Sequence, residues 1–222
     1  MNSPGSIARL KITLSHVEPA VLRRIEVPLA IKLSDLHLVI QAVMPWWNYH
    51  LYQFEVRKMR WGLPDPDFDW GGPRVQAAKA ATLADLLAAT GAKSFKYVYD
   101  FGDDWQHEIR VEKLLEPETG TTYPRLLDVA GRCPPEDVGG PWGYQAYLEA
   151  ISDPSHENHA ELIDWRGPGF DPNVVDRAVL VKELEKLAKR WARRAAGPAK
   201  DAKRAAKAKR PAPAAKPVRR SP

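Results

Sequence analysis

Carboxylates in two short segments are the side chains of this sequence best suited to bind a metal ion. They are Asp100, Asp103 and Asp104 in the segment YDFGDDWQHEI, and Glu136 and Asp137 in the segment CPPED. Carboxylate oxygens suit hard divalent cations, whereas the neighbouring His107 and Cys133 suit zinc better. If the two segments fold against each other, we expect a divalent-metal site between them. Its ligands would be Asp103, Asp104, Glu136 and Asp137, and its pocket would include Asp100, His107 and Cys133.

The same residues also have a purely structural interpretation. Asp and Gly are common in tight turns, so Gly102–Asp104 need no metal to explain them. Glu136 and Asp137 can cap a following turn or helix. The aromatic pattern around His107 is typical of a hydrogen-bonded core histidine, and Cys133 suits a small buried position. The sequence leaves both interpretations open.

Motifs of several enzyme classes are missing from the sequence. It has no Gly-rich phosphate-binding loop of the Walker type and no dinucleotide-binding fingerprint, so nucleotide-dependent catalysis is not expected. His156 and His159 lack the His-Glu-x-x-His spacing that places two zinc ligands on one helical turn. We therefore expect a nonenzymatic protein, with a metal-dependent hydrolase or nuclease as the alternative.

Hydrophobic periodicity predicts the elements that must position these residues. Period-two alternation predicts strands at residues 10–15, 52–56, 95–101 and 105–111. Residues 21–28, which follow a turn, and a short segment within residues 122–131 are two further candidate strands. Helical spacing predicts helices at residues 34–44, 82–90, 144–151, 155–166 and 173–195. Trp61–Gly72, rich in Pro, Gly and Asp, predicts a loop. We expect an α+β fold: a mainly antiparallel sheet of five or six strands (ββαβ-loop-αββ) packed with helices, ending in a long helix.

The hairpin around Asp103 is the clearest predicted element. Its apolar faces are Phe95, Tyr97, Tyr99 and Phe101 on the first strand, and Trp105, His107, Ile109 and Val111 on the second. Cross-strand neighbours must share a face, so we predict a three-residue loop, Gly102–Asp104. That register sets Phe101 opposite Trp105 and Tyr99 opposite His107.

The positive charge is concentrated at the C-terminus. The whole chain has a net charge of +5, but residues 193–222 carry eleven Lys and Arg residues and one Asp. The cations are Arg193, Arg194, Lys200, Lys203, Arg204, Lys207, Lys209, Arg210, Lys216, Arg219 and Arg220. Without aromatic residues, this segment is expected to be a disordered tail after a domain at residues 7–192. Spaced cations predict nonspecific nucleic-acid binding, with a solubilising role as the alternative.

Location and partners follow from simpler features. The longest apolar run is far shorter than the ~20 residues of a membrane-spanning helix, and the N-terminus has no secretory pattern. The single cysteine excludes an intrachain disulfide, so we expect a reducing, cytoplasmic environment. The apolar side of the long C-terminal helix can pack on the sheet, or contact a second copy or another protein.

Several ordered motifs resemble one protein family. They are LKITLSHVEPAVLRRIEVP, LSDLHLVIQAVMPWWNYHLYQFEV, YDFGDDWQHEI, RCPPEDVGGPWGY and the late FDP. From about Leu10 to Leu187 they resemble the plasmid pRiA4b ORF-three-like family. The resemblance implies an α+β domain of bacterial and archaeal chromosomes and mobile elements, some members being described as transposon passenger or resolvase proteins. It implies no catalytic residues and no cofactor, and the basic tail lies outside it. We therefore expect an accessory or interaction domain linked to mobile elements.

Overall fold

Alternating apolar residues build a single eight-stranded sheet in the computed structural model, which describes residues 5–64 and 74–208, with side chains to residue 194. The strands are β1 (Ile7–Leu14), β2 (Leu22–Pro28), β3 (Tyr52–Val56), β4 (Met59–Gly62), β5 (Val75–Ala77), β6 (Ser94–Tyr99), β7 (Trp105–Leu115) and β8 (Arg125–Ala130). Their order across the sheet is β5-β4-β3-β6-β7-β1-β2-β8. Neighbouring strands are antiparallel except for the parallel pair β4 and β5. The predicted α+β class and mainly antiparallel sheet are confirmed.

Two strands exceed the predicted number. β4 follows β3 after a two-residue turn and includes Trp61 and Gly62, where the sequence predicted the start of a loop. β5 has three residues, too few to establish an alternating pattern. The rest of the predicted loop, residues 65–73, lies outside the described residues.

The helices of the described chain are α1 (Leu33–Val43), α2 (Leu83–Thr90), α3 (Gly140–Ser152), α4 (His159–Arg166) and α5 (Arg177–Ala208). The C-terminal helix begins later than predicted and continues beyond residue 195, in a segment rich in the strong helix formers Ala, Lys and Arg. Residues 209–222 of the predicted disordered tail lie outside the described residues. Within the described part of the chain, no helix is both long and apolar enough to cross a membrane.

The core lies on one face of the sheet, beneath α1 and α5. Leu10 of β1 pairs with Ile25 of β2, and both are fully buried on this face. α1 contributes an apolar stripe to the core, and Leu180 and Leu184 of α5 are buried with it. The opposite face carries partly exposed charged residues such as Lys11 and Arg24. The domain is therefore a two-layer structure, and this side of α5 is occupied by the domain itself.

The hairpin of β6 and β7 has a different register from the one that the sequence predicted. Tyr99 pairs with Trp105, and Tyr97 pairs with His107. The loop has five residues, Asp100–Asp104. Both Asp100 (φ 57°) and Asp104 (φ 51°) have a left-handed backbone conformation, and the Asp104 N–H donates to the Asp100 carbonyl at 2.7 Å, which closes the loop. The predicted three-residue loop was wrong, while the shared aromatic face of Tyr97, Tyr99 and Trp105 is retained. Phe101 lies in the loop and is exposed.

A buried arginine joins the sheet to α1. Arg23 of β2 lies on the core face, opposite Ile12, and is almost completely buried. Its Nε–H donates to the carbonyl of Val43, the last residue of α1, at 2.7 Å. Its Nη1 donates to the carbonyls of Leu22 and Ala130, each at 2.8 Å, and Gly131, at 3.0 Å. The last carbonyls of a helix lack partners within the helix and attract cations, so Arg23 caps α1 and ties it to the end of β8.

Arg23→Met should lower the free energy of unfolding by about 1–3 kcal/mol, because buried carbonyls lose their donor. Arg24→Met is the matched control, since the neighbouring Arg24 lies on the open face in surface ion pairs with Glu112 and Asp128. Such pairs contribute roughly 0–1 kcal/mol. Urea unfolding of both variants measures the difference, and equal losses would contradict the role given to Arg23.

Candidate functional site

Three loops meet at the end of the sheet that carries the hairpin turn. They are the α1–β3 loop (residues 44–51), the hairpin loop (100–104) and the β8–α3 loop (131–139), which contains the CPPED segment. Gly140, which begins α3, has φ +70°, and a Cβ there would lie 2.3 Å from the Asp103 carbonyl oxygen. Only glycine tolerates that approach and conformation. The sequence left open whether the CPPED segment reaches the hairpin, and in the structure it does.

Glu136 anchors the β8–α3 loop to the other segments. It is buried, and its two carboxylate oxygens accept hydrogen bonds from the Tyr99 hydroxyl and from the backbone N–H of Trp47, the latter at 2.7 Å. The Tyr99 oxygen in turn accepts from the N–H of Tyr49 at 3.1 Å. Burial, together with the hydrogen bond to Glu136, raises the pKa of Tyr99, so the phenol remains a donor. Tyr99 and Glu136 therefore hold the α1–β3 and β8–α3 loops together.

A buried histidine network positions the α1–β3 loop from below. His37 Nε2 donates to Asn48 Oδ1 at 2.5 Å, so its Nδ1 accepts from the Tyr97 hydroxyl at 2.7 Å. Gln41 donates to the same hydroxyl at 3.2 Å, and the His37 ring stacks on Tyr52 at 3.6 Å. Burial lowers the pKa of His37 to about 4, so the ring is neutral at pH 7. This network was not predicted, because the contacts join residues far apart in sequence.

Two carboxylates and one imidazole come together where the three loops meet. His50 Nε2 lies 2.9 Å from Asp137 Oδ1 and 3.6 Å from Asp100 Oδ2, and the three ligand atoms lie within 4.8 Å of one another. Asp100 is buried, whereas His50 is partly exposed and Asp137 is exposed. We call these residues the His50 cluster. Two of its members, Asp100 and Asp137, were predicted site residues, whereas His50 was not among them, because it lies far from both in sequence.

The other predicted metal ligands have separate partners. Asp103 Oδ2 accepts from the Gly139 N–H at 3.2 Å, and Asp104 Oδ2 accepts from the Gln106 side chain at 2.5 Å. Glu136 is bound to Tyr99 and Trp47 as described above. The two loops that carry the predicted ligands are therefore in contact. The carboxylates of Asp103, Asp104 and Glu136, however, each accept hydrogen bonds from different partners.

His107 and Cys133 are both buried in the core, below the three loops. His107 is fully buried, and its Nδ1 lies 3.1 Å from the Trp105 carbonyl and 3.3 Å from the Tyr97 carbonyl. Burial lowers the pKa of His107 to about 4, and burial also raises the pKa of the Cys133 thiol. Both groups are therefore uncharged at neutral pH, and neither reaches the His50 cluster.

The predicted nucleic-acid cations continue along and beyond α5. Arg193 and Arg194 are exposed on the helix. Lys200, Lys203, Arg204 and Lys207 also belong to α5. Lys209, Arg210, Lys216, Arg219 and Arg220 lie outside the described residues.

Exposed aromatic rings lie on two of the loops that carry the His50 cluster and on the adjoining helices α3 and α4. Trp47 is 59% exposed and Tyr49 76% exposed, and their ring centroids lie 5.9 Å apart. The Arg166 guanidinium lies 5.6 Å from the Trp47 ring and 4.1 Å from the Trp165 ring, which links α4 to the α1–β3 loop. The adjoining hairpin loop and first turn of α3 expose Phe101 and Trp142, the latter 85% exposed. We call these five rings and Arg166 the aromatic surface.

Three comparisons connect this chain to other proteins. A family model described as "Plasmid pRiA4b ORF-3-like protein" matches residues 6–179. An uncharacterised protein of Sinorhizobium fredii is 50% identical over 192 residues, which cover 86% of this chain and 97% of that protein. The crystal structure of a protein of unknown function from Methanosarcina mazei is similar with a TM-score of 0.71 and 35% identity, covering 82% of this chain and 99% of that one.

Gly140→Ala should separate the β8–α3 loop from the hairpin loop. Gly120→Ala is the matched control, because Gly120 also has a positive φ, +79°, but has open space where a Cβ would lie. The close approach to Asp103 should make Gly140→Ala more destabilising by about 1–3 kcal/mol, the usual cost of overpacking. Urea unfolding and amide hydrogen exchange of residues 131–139 measure this difference. Equal effects of the two substitutions would show that the two loops do not depend on this contact.

Proposed function

The chain belongs to the plasmid pRiA4b ORF-3-like family, and we propose that it is a nonenzymatic interaction domain that binds single-stranded nucleic acid. The aromatic surface provides stacking platforms, and the basic C-terminal segment adds nonspecific affinity. The plasmid in the family's description and the cations after residue 192 agree with an accessory role for mobile elements. The observation that carries the proposal is the aromatic surface itself.

Exposed aromatic rings in one place need an explanation that scattered ones do not. Single apolar residues on a surface are ordinary, but a contiguous group marks an interaction site. The Trp47 and Tyr49 rings are in contact, and Arg166 lies against both Trp47 and Trp165. Bases stack on such rings with little sequence preference, because every base has a π face. A sequence-tolerant single-stranded ligand therefore suits this surface.

Cations supply the second component of single-strand binding. Arg166 lies among the rings, where a guanidinium can stack with bases and contact phosphates. The eleven Lys and Arg residues after residue 192 can release counterions from phosphates without reading a sequence. Affinity should therefore divide into a stacking contribution that resists salt and a tail contribution that salt weakens.

Replacement of exposed rings should weaken binding at constant charge. We expect Tyr49→Ala and Trp142→Ala each to raise the Kd for a fluorescent oligo-dT by roughly 10-fold, since one lost stack is worth about 1–3 kcal/mol. Leu114→Ala, at an exposed apolar residue of β7, is the control and should bind normally. Deletion after Ala192 should flatten the salt dependence yet leave the effect of Tyr49→Ala in place. Normal affinity of both ring variants would reject the aromatic surface as the binding site.

Metal-dependent hydrolysis is the second candidate function, favoured by the His50 cluster at the edge of the aromatic surface. A metal ion held by carboxylates and an imidazole can activate water and polarise a phosphoryl oxygen. A bound strand would then present its phosphodiester beside that ion. This function differs from simple binding in a measurable way, because it releases products.

Cleavage of labelled single-stranded DNA by the full chain, supplied in turn with Mg²⁺, Mn²⁺ and Zn²⁺, tests hydrolysis. Hydrolysis predicts that one of these ions supports cleavage, that EDTA abolishes it, and that Asp137→Asn loses it while still binding the strand. Asp104→Asn, in the same hairpin loop as Asp100, is the control and should cleave normally. Binding without cleavage under every metal would reject hydrolysis and leave the interaction proposal standing.

A further inference from the structure

We propose that His50, Asp100 and Asp137 bind one divalent transition-metal ion, with Zn²⁺ and Mn²⁺ the best matches to the donor set. One imidazole nitrogen and two carboxylate oxygens suit both of these ions. Metal-dependent hydrolysis rests on this site, whereas the site itself requires neither nucleic acid nor turnover. If the ion does not bind, metal-dependent hydrolysis fails with it, whereas nucleic-acid binding by the aromatic surface is tested separately.

The spacing of the donor atoms fits a shared ion. Two ligands that bind one ion with bonds of about 2.1 Å lie about 3–4 Å apart. The 3.6 Å between His50 Nε2 and Asp100 Oδ2 lies within that range, and the 2.9 Å between His50 Nε2 and Asp137 Oδ1 lies at its lower end. The third separation is also within 4.8 Å, so small side-chain rotations bring all three atoms to one centre.

One oxygen of the buried Asp100 carboxylate is left for a ligand. Asp100 is 8% exposed, and its Oδ1 accepts the N–H groups of Gly102 at 2.9 Å and Asp103 at 3.4 Å. Within the described residues, its Oδ2 has no hydrogen-bond donor, since His50 Nε2 at 3.6 Å is too distant. This oxygen lies 3.6 Å from His50 Nε2, so it is available to the proposed ion on the side that faces His50.

Each of the three ligands is held in place by different contacts. The N–H groups of the hairpin loop orient Asp100, and the Tyr99 hydroxyl lies 3.4 Å from the backbone nitrogen of His50, whose N–H points to it. Asp137 follows Glu136, which is anchored to Tyr99 and Trp47. Outer contacts of this kind orient metal ligands and support affinity. Because Asp137 and His50 are partly open to solvent, an ion here keeps free coordination positions for water or a phosphate.

A metal ion would also remove an electrostatic conflict on the aromatic surface. Asp100 and Asp137 bring negative charge to the place where a nucleic-acid strand would lie, and phosphates are repelled by carboxylates. A divalent cation neutralises both carboxylates and attracts phosphate oxygens. A bound cation would therefore favour phosphate binding at this position, beside the stacking that the rings provide.

Isothermal titration calorimetry of the EDTA-treated, desalted full chain with ZnCl₂ and MnCl₂ tests the site, and Co²⁺ absorption gives a second readout of the ligand geometry. We expect one ion per chain for at least one metal. Asp100→Asn, Asp137→Asn and His50→Gln should each weaken metal binding by at least about 10-fold, because loss of even a hydrogen-bond partner of a metal ligand weakens metal affinity by that factor. Both Asp positions have a positive φ, which Asn adopts readily, so the backbone is preserved.

Asp104→Asn is the matched control. Asp104 lies in the same hairpin loop, has the same left-handed conformation and is outside the cluster. It should bind the ion normally, and circular dichroism should show that every variant is folded. Failure of both metals to bind would overturn the proposal. So would unchanged binding in Asp137→Asn, or an equal loss in Asp104→Asn.

Discussion

The rest of the site depends on the hydrogen bonds of the Arg23 guanidinium. This group binds Val43, where α1 ends and the α1–β3 loop begins, and it also binds Ala130 and Gly131, where β8 ends and the β8–α3 loop begins. A buried cation is costly unless its donors are satisfied, and here backbone carbonyls satisfy it. One side chain of the sheet therefore fixes the starting points of two of the three loops.

The third loop is tied to the other two through Tyr99. Its strand ends at the hairpin loop, while its hydroxyl reaches Glu136 in one neighbouring loop and the backbone of Tyr49 in the other. Gly140 completes the frame that Arg23, Tyr99 and Glu136 form, because a larger residue would displace the Asp103 carbonyl from the start of α3. The frame is buried, whereas the groups that it supports, His50, Asp137 and the aromatic rings, are open to solvent. Rigid support beneath accessible groups is the arrangement that binding sites require.

The elements of the fold were predictable from sequence to a greater extent than the site. Alternation identified β1, β3 and the hairpin because each strand buries one face, and α2 is identifiable from sequence by the capping box of Thr82 and Asp85 and by Gly91 at its end. The hairpin register was not predictable, because it depends on the left-handed conformations of Asp100 and Asp104. His50 was missed as a partner of Asp100 and Asp137 for a related reason: its neighbours come from loops whose paths are set by Arg23, Tyr99 and Gly140.

Indole N–H signals in an NMR titration with oligo-dT test the central claim, that the surface where the three loops meet is where a partner binds. Signals of the exposed Trp47, Trp142 and Trp165 should shift on addition of the strand, whereas those of the buried Trp46, Trp61 and Trp105 should stay in place. The buried tryptophans thus provide an internal control in the same spectrum. Shifts confined to the basic C-terminal segment, with all indole signals unchanged, would contradict the account.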